Sequence, residues 1–259
     1  MYNTNNITLW DNKHYYDNLA YFEARHWWSA AVWEVARSWL RPALRALRGL
    51  RVLDAGSGAG GVAARLAEEP AIDRVIALDP SAFAACTCGG RGLDALRGSV
   101  VQLPFADQSF DVVTCNDVLQ HLATEDDFKA CREIRRVLKT GGLALVRTNA
   151  HGRYTRPGHH ERTYDENALR TLFADAGLRV TRMSRLNTLA SLAADYLTVP
   201  RPADESAGGL DHDEFRAHRP RSARARVLRV VSQAEARVIG RLGISSRWGH
   251  TLLTLCVAH

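Results

Sequence analysis

Long apolar runs are scarce in this chain of 259 residues, and none is long enough to span a bilayer, so no membrane partner is expected. Residues 1–16, rich in Asn and Asp, hold no apolar block of the kind a secretory leader needs, which points to a cytoplasmic protein. Cysteine is sparse and odd in number. Cys86, Cys88, Cys115, Cys131 and Cys256 contain no C-x-x-C pair, and Cys86 with Cys88 forms only a C-x-C, so reduced thiols are expected and no metal site. Internal repeats and low-complexity linkers are missing too. Acidic residues vanish from 215–229, where Arg216, Arg219, Arg221, Arg224, Arg226 and Arg229 stand together. Basic and acidic side chains balance over residues 1–150, so the net charge of +6 arises wholly in the C-terminal part. Such a run reads first as a solvated helix face and second as a surface for an anionic partner.

What is present suits a folded core: 46% of the residues are apolar and 24% charged. Trp28, Val32, Val35 and Trp39 recur at spacings of three and four, which predicts a helix over 26–40. Pro42 is expected to stop it and to open a second short helix reaching Gly49. From residue 51 the pattern changes to short apolar runs at 51–55, 74–79, 110–115 and 143–148, separated by helical stretches. Strands alternating with helices imply parallel strands with crossovers, hence a doubly wound α/β sheet. Thr124 with Asp127, and Thr163 with Glu166, fit capping boxes that open helices, and Gly141 and Gly177 fit positions that close them. Two more strands read at 178–185 and 250–257, with an insertion between them that contains a helix over 224–242 and the arginine run. The expected organisation is an N-terminal helical cap (1–49), an α/β core (50–188), a helical insertion acting as an acceptor lid (189–247) and a last core strand (248–259).

The first of these strands runs into a glycine turn. Gly56, Gly58 and Gly61 satisfy G-x-G-x-x-G, a helix follows at 62–69, and Asp79 ends the next strand about where a ribose-binding acid belongs. Taken alone the turn admits a dinucleotide. Asp54, two residues before the first glycine, would repel a pyrophosphate and attract an amino group and a sulfonium, which favours S-adenosylmethionine (SAM).

Four blocks in register, at 52–61, 75–80, 103–113 and 133–142, make the sequence resemble the class I SAM-dependent methyltransferase superfamily, in particular the group similar to quinone-biosynthesis C-methyltransferases. His26, Trp27 and Trp28 resemble the H-W-W-F start of many such enzymes, and 160–164 resembles their H-x-R-x-Y segment. The resemblance implies a Rossmann-like seven-stranded sheet of order 3-2-1-4-5-7-6, with strand seven antiparallel and SAM bound beyond the carboxyl ends of the strands. Carried over by position, it puts Asp54, Gly56, Ser57 and Gly58 along the methionine moiety and Asp79 with Pro80 at the ribose. Ser99 and Val100 flank the adenine, and Asn116 lies near the amino acid end. Ser99 departs from a frequent aspartate and Ser57 from a frequent cysteine.

A sulfonium methyl is already activated, so placing the acceptor supplies much of the catalysis, and a base matters for a hydroxyl or carbon acid. His121, in the segment after strand four, reads either as that base or as a histidine that shapes the cleft, with Asp117 as its orienter or as a surface acid. His160 is a second catalytic candidate, and Trp28, Asp117, His159 and Tyr164 are candidates for the acceptor side, Tyr164 equally as a packing residue. Trp27, Trp28, Trp33 and Trp39 read as an aromatic wall or, more simply, as core; Tyr15, Tyr16 and Tyr21 read as part of an N-terminal lid. The expected acceptor is a small-molecule, sugar or peptide-derived metabolite of specialised biosynthesis, with monomer and homodimer both open. Competing readings are an RNA methyltransferase using the arginine run, which lacks interleaved aromatics, and a protein that binds SAM without transferring methyl.

Overall fold

In a computed structural model of the chain, the described residues are 12–151, 162–186, 188, 223–243, 246, 249 and 251–259. The elements run α1 (Lys13–Arg25), α2 (Trp27–Ala46), β1 (Leu50–Ala55), α3 (Gly61–Ala67), β2 (Ile72–Asp79), α4 (Ala82–Gly90) and β3 (Asp94–Arg97). There follow β4 (Phe110–Asn116), a 3-10 turn (Leu119–His121), α5 (Asp126–Val137), β5 (Leu138–Asn149), α6 (Glu166–Asp175), β6 (Leu178–Leu186), α7 (Ala223–Leu242) and β7 (Thr251–Ala258).

The strands form one seven-stranded sheet in the order β3-β2-β1-β4-β5-β7-β6. β1 pairs parallel with β2 and β4, whereas β7 lies antiparallel to both β5 and β6. β1 is central and covered on both faces, which is why Val52, Leu53 and Ala55 are all fully buried and the strand reads as a nearly unbroken apolar run. One face of the sheet packs against α5 and α6 through Ile134, Val137, Leu169 and Phe173. The other packs against α2, α3 and α7 through Val35, Trp39, Leu66 and Ile239. Each such large apolar side chain contributes roughly 1.5–3 kcal/mol when fully buried.

Two of the recurring blocks hold each other. The Arg136 guanidinium donates to the carbonyls of Leu103 (3.0 Å) and Phe105 (2.7 Å) and to Asp107 (2.8 Å), and Glu133 accepts the Leu103 N–H at 2.7 Å. The loop entering β4 is thereby pinned to α5.

Several local expectations are corrected. Pro42 does not end the N-terminal helix: α2 runs through it to Ala46. The proline removes one backbone donor, but Trp39 and Leu40, 4% and 1% exposed, anchor the same turns in the core and keep the helix going. Neither capping box forms. α6 is capped by Asp165, whose Oδ1 accepts the Ala168 N–H at 2.7 Å, and α5 has no side-chain cap because Asp127 is drawn into a buried network described below. Gly177 does follow the end of α6 with a positive φ of 81°, but Gly141 lies within β5, which begins at Leu138 directly after α5. The helix of the C-terminal insertion packs along α2: Gly240 meets Ser38 so closely that an added Cβ would stand 3.0 Å from the serine Cβ. α2 and α7 thus form a layer on the sheet, while α1 packs against α2, α3 and α4.

Candidate functional site

β1 delivers its chain to the glycine turn at the carboxyl edge of the sheet. The N–H groups of Gly56 and Ser57 both donate to the Leu78 carbonyl, at 2.7 and 2.9 Å, so the turn is tied to the end of β2. Gly56 has φ +78°, and a Cβ there would overlap Cγ2 of Val118 and stand 3.4 Å from its Cβ. Both the backbone conformation and the approach of Val118 therefore require glycine at this position.

Asp54 lies one residue pair from the turn and is 1% exposed. Its Oδ1 accepts the Thr114 hydroxyl from the neighbouring strand β4 at 2.6 Å, while Oδ2, equally buried, has no hydrogen-bond partner. Burial pushes this carboxyl up to about 6, against the lowering effect of the Thr114 hydroxyl, the backbone N–H of Ala63 in the first turn of α3 and the Arg147 charge. Two residues beyond Thr114, at the end of β4, the Nδ2 of Asn116 is a second buried polar atom with no partner. An orphan acceptor and an orphan donor thus sit at the carboxyl ends of adjacent strands. Asp79, 9% exposed at the end of β2, accepts the N–H of Gly58 through Oδ2 (2.9 Å) and that of Ser81 through Oδ1 (3.0 Å). Burial raises its pKa, and those two N–H groups oppose the shift. Each oxygen keeps acceptor capacity for a further donor.

Asp117 follows at φ +57°, a left-handed conformation uncommon outside glycine. Its carboxylate is paired with both Nε and Nη2 of Arg147 at the end of β5, and its N–H donates to the Arg147 carbonyl at 2.9 Å. The Arg147 guanidinium in turn lies 4.5 Å from the ring centroid of half-buried Trp28. The Asp117 carboxylate is thus held by Arg147. His121 stands exposed at the end of the 3-10 turn. Behind it, Tyr164 is 6% exposed, donates its hydroxyl to the Leu119 carbonyl and to Asp127 Oδ2, both at 3.1 Å, and receives a bond from Arg162. Arg162 also pairs with Asp127 at 2.6 Å. This network joins the chain after β5 to α5 and to the turn carrying His121.

Val100 is buried among the core residues beside Leu78, Ser99 is half-buried and accepts the Val101 N–H at 3.4 Å, and the carbonyl of exposed Pro80 accepts from Arg97 at 2.9 Å. Ser57 is 6% exposed in the turn. His159 and His160 lie outside the described residues, as do Arg216, Arg219 and Arg221; Arg226 and Arg229 are exposed on α7. Among the described residues no group of three or more His, Cys, Asp or Glu side chains is arranged to hold a metal, and no helix is long and apolar enough to cross a membrane.

Three more residues stand beside the site: Glu23 and Arg147, which had no assignment, and Tyr15, which was read as part of an N-terminal lid. Glu23, on α1, accepts the Gly61 N–H at 2.9 Å, and burial together with the Asp54 charge pushes it up to about 7. Tyr15, two turns earlier on α1, has its pKa raised by burial and then by the charges of Tyr16, Asp79, Glu23 and Asp117. Arg147 is the third. Its place at the carboxyl end of a parallel strand is the one signal that the sequence offered for it.

Residues 53–146 match the family described as a methyltransferase domain. The chain is 38% identical over 103 residues to an uncharacterized methyltransferase of Bacillus subtilis, covering 37% of this chain and 39% of that protein. It is 35% identical over 149 residues to the demethylmenaquinone methyltransferase of Renibacterium salmoninarum, covering 54% and 58%. The chain thus spans about half the length of the curated relatives it matches. Among solved structures, a SAM-dependent methyltransferase of Thermotoga maritima, described as a possible histamine N-methyltransferase, superposes with a TM-score of 0.59. That match is 15% identical and covers 95% of this chain and 97% of the other, a likeness of fold.

Proposed function

From a chain whose residues 53–146 match a methyltransferase domain and whose sequence blocks resemble the class I SAM-dependent methyltransferases, we propose a SAM-dependent enzyme that methylates a small-molecule, sugar or peptide-derived acceptor in specialised metabolism. The observation that carries the cofactor assignment is the pair of orphaned buried atoms, Asp54 Oδ2 and Asn116 Nδ2. A buried polar atom without a partner costs about 1–3 kcal/mol. A zwitterionic amino acid end suits both: its ammonium is a donor for Asp54 and its carboxylate an acceptor for Asn116. Asp79 keeps acceptor capacity for ribose hydroxyls, with Gly56, Ser57, Gly58, Pro80, Ser99 and Val100 as the remaining cofactor contacts. When bound, SAM supplies a methyl group already activated as a sulfonium.

The protein's own work is then to seat the acceptor, exclude water and take up a proton. His121 is the proposed base: its imidazole accepts the proton that a hydroxyl, amine or carbon acid of the acceptor gives up. The Tyr164–Asp127–Arg162 network holds the turn on which that imidazole sits. Trp28 and Asp117, fixed through Arg147, form the proposed wall toward the N-terminal helices, with His159 as a further proposed acceptor contact and His160 as a second proposed base.

Incubation of the purified chain with methyl-labelled SAM and an extract of its host, followed by separation of small molecules, peptides and RNA, tests this reading. Label is expected among small molecules or peptides. Label in RNA would overturn the acceptor class and promote the arginine run to a binding surface; SAM binding without label anywhere would overturn methyl transfer.

A further inference from the structure

Tyr15, Leu19 and Glu23 recur every four residues and so share one face of α1. That face lies over the glycine turn. A Cβ on Gly58 would stand 3.2 Å from Leu19 Cδ2, and one on Gly61 would overlap Glu23 Oε2 and lie 2.8 Å from Glu23 Cβ. Glu23 Oε2 accepts the N–H of Gly61, the first residue of α3. One turn further along α3, Arg65 answers in the other direction: Nη2 donates to the Glu23 carbonyl at 2.8 Å and Nη1 to the Ser29 carbonyl at 3.0 Å. Those carbonyls belong to the last turn of α1 and the first turn of α2, on either side of the extended residue His26. One guanidinium therefore bridges the break between the two helices. The exchange is reciprocal, because α3 gives an N–H and a guanidinium while α1 gives a carboxylate and a carbonyl.

Resting on the reading of the glycine turn as the cofactor site, we propose that Glu23 and Arg65 are positioning residues that clamp α1 across that turn and govern how fast the cofactor leaves. Leu19 covers the turn, and Tyr15 is carried into the group of Asp79 and Asp117, so opening the clamp lifts the whole face at once. Arg65 acts through carbonyls of the cover, its guanidinium also lying 5.9 Å from the Trp33 ring centroid on α2, and Glu23 through one N–H of α3; neither needs to touch the acceptor.

The test uses the full chain and S-adenosylhomocysteine (SAH), with release followed by tryptophan fluorescence in a stopped-flow instrument. Glu23→Ala and Arg65→Ala are each expected to speed release about tenfold or more, the effect of losing a charge-assisted hydrogen bond. Glu23→Gln keeps an amide oxygen for the Gly61 N–H and should stay within about threefold of the parent, a rescue that general destabilisation would not give. Hydrogen exchange of the unliganded chain supplies the independent arm: Arg65→Ala should speed exchange in residues 13–25 and leave β1 protected. Parent-like release together with parent-like exchange in both alanine variants would overturn the clamp. Failure of the parent to bind SAH, with faster exchange in Arg65→Ala, would leave the clamp standing as a contact and overturn the cofactor reading instead.

Discussion

Gly56→Ala tests how tightly the turn is specified. At φ +78° an alanine pays the left-handed penalty of roughly 1–2 kcal/mol. Its Cβ also overlaps Val118 Cγ2, where carbon atoms prefer about 3.5–4.0 Å, and such overpacking costs roughly 1–3 kcal/mol. The sum is a loss of about 2–5 kcal/mol, or a fall in Tm on the order of 10 °C for a chain of this size. Because Val118 immediately precedes the 3-10 turn, displacing it also disturbs the placement of Asn116 and His121, and SAH affinity should fall with stability. The double variant Gly56→Ala/Val118→Ala separates the two causes: it removes the overlap and leaves the backbone strain. Urea unfolding of the four proteins should give a coupling of at least about 1 kcal/mol in the direction of rescue. Strictly additive losses would refute the account of the turn, since the valine would then have no part in excluding a side chain at residue 56.

Binding of SAH should release protons below about pH 6 and none at pH 8. Asp54, raised from 3.8 to about 6 by burial, holds its proton in the free protein, and an ammonium beside Oδ2 favours the carboxylate. The same sign means that Asp54 contributes stability to the free chain that is lost as pH rises from 3.8 through about 6, and Glu23, raised from 4.5 to about 7, extends that loss to about pH 7, because in that window the folded state binds more protons than the unfolded one. Calorimetry in buffers of different ionisation heat measures the release, and its persistence in Asp54→Asn would refute the assignment. Tyr164→Phe, which strips the hydroxyl from the Leu119 carbonyl and Asp127, should cost about 1–2 kcal/mol and leave SAH affinity unchanged; a changed KM for the acceptor would instead make Tyr164 a substrate contact. At Asp117, where both variants lose the Arg147 pair, alanine should be less stable than glycine by about 1 kcal/mol, because only alanine meets strain at φ +57°. Equal stabilities by thermal unfolding would show that the backbone relaxes there.

The four sequence blocks lie on the elements that build the central sheet, and their resemblance implied a strand order that the chain adopts. Local apolar pattern carried less. β3, only Asp94–Arg97 and lying at the sheet edge with a mostly exposed burial pattern, has no apolar run to mark it. Pro42 and the capping boxes misled because a local rule was outweighed by tertiary packing, by Trp39 and Leu40 in one case and by Arg162 drawing on Asp127 in the other. The strand-end acids were legible because Asp54 stands two residues before the first glycine and Asp79, 21 residues after Gly58, ends the very next strand. Glu23 and Arg147 were not: one meets the turn from 38 residues away and the other pairs with a residue 30 away, and only the folded sheet brings those separations together.

The central claim is that the carboxyl ends of β1, β2 and β4 form a SAM site, and the most direct measurement is calorimetric titration of SAH into the parent chain, Asp54→Asn and Asp79→Asn at neutral pH. The account predicts saturable one-to-one binding to the parent, weakened about tenfold to a hundredfold in each variant by the loss of a charge-assisted contact, and no heat from NAD. Absence of SAH binding to the parent, or binding of NAD in its place, would contradict it.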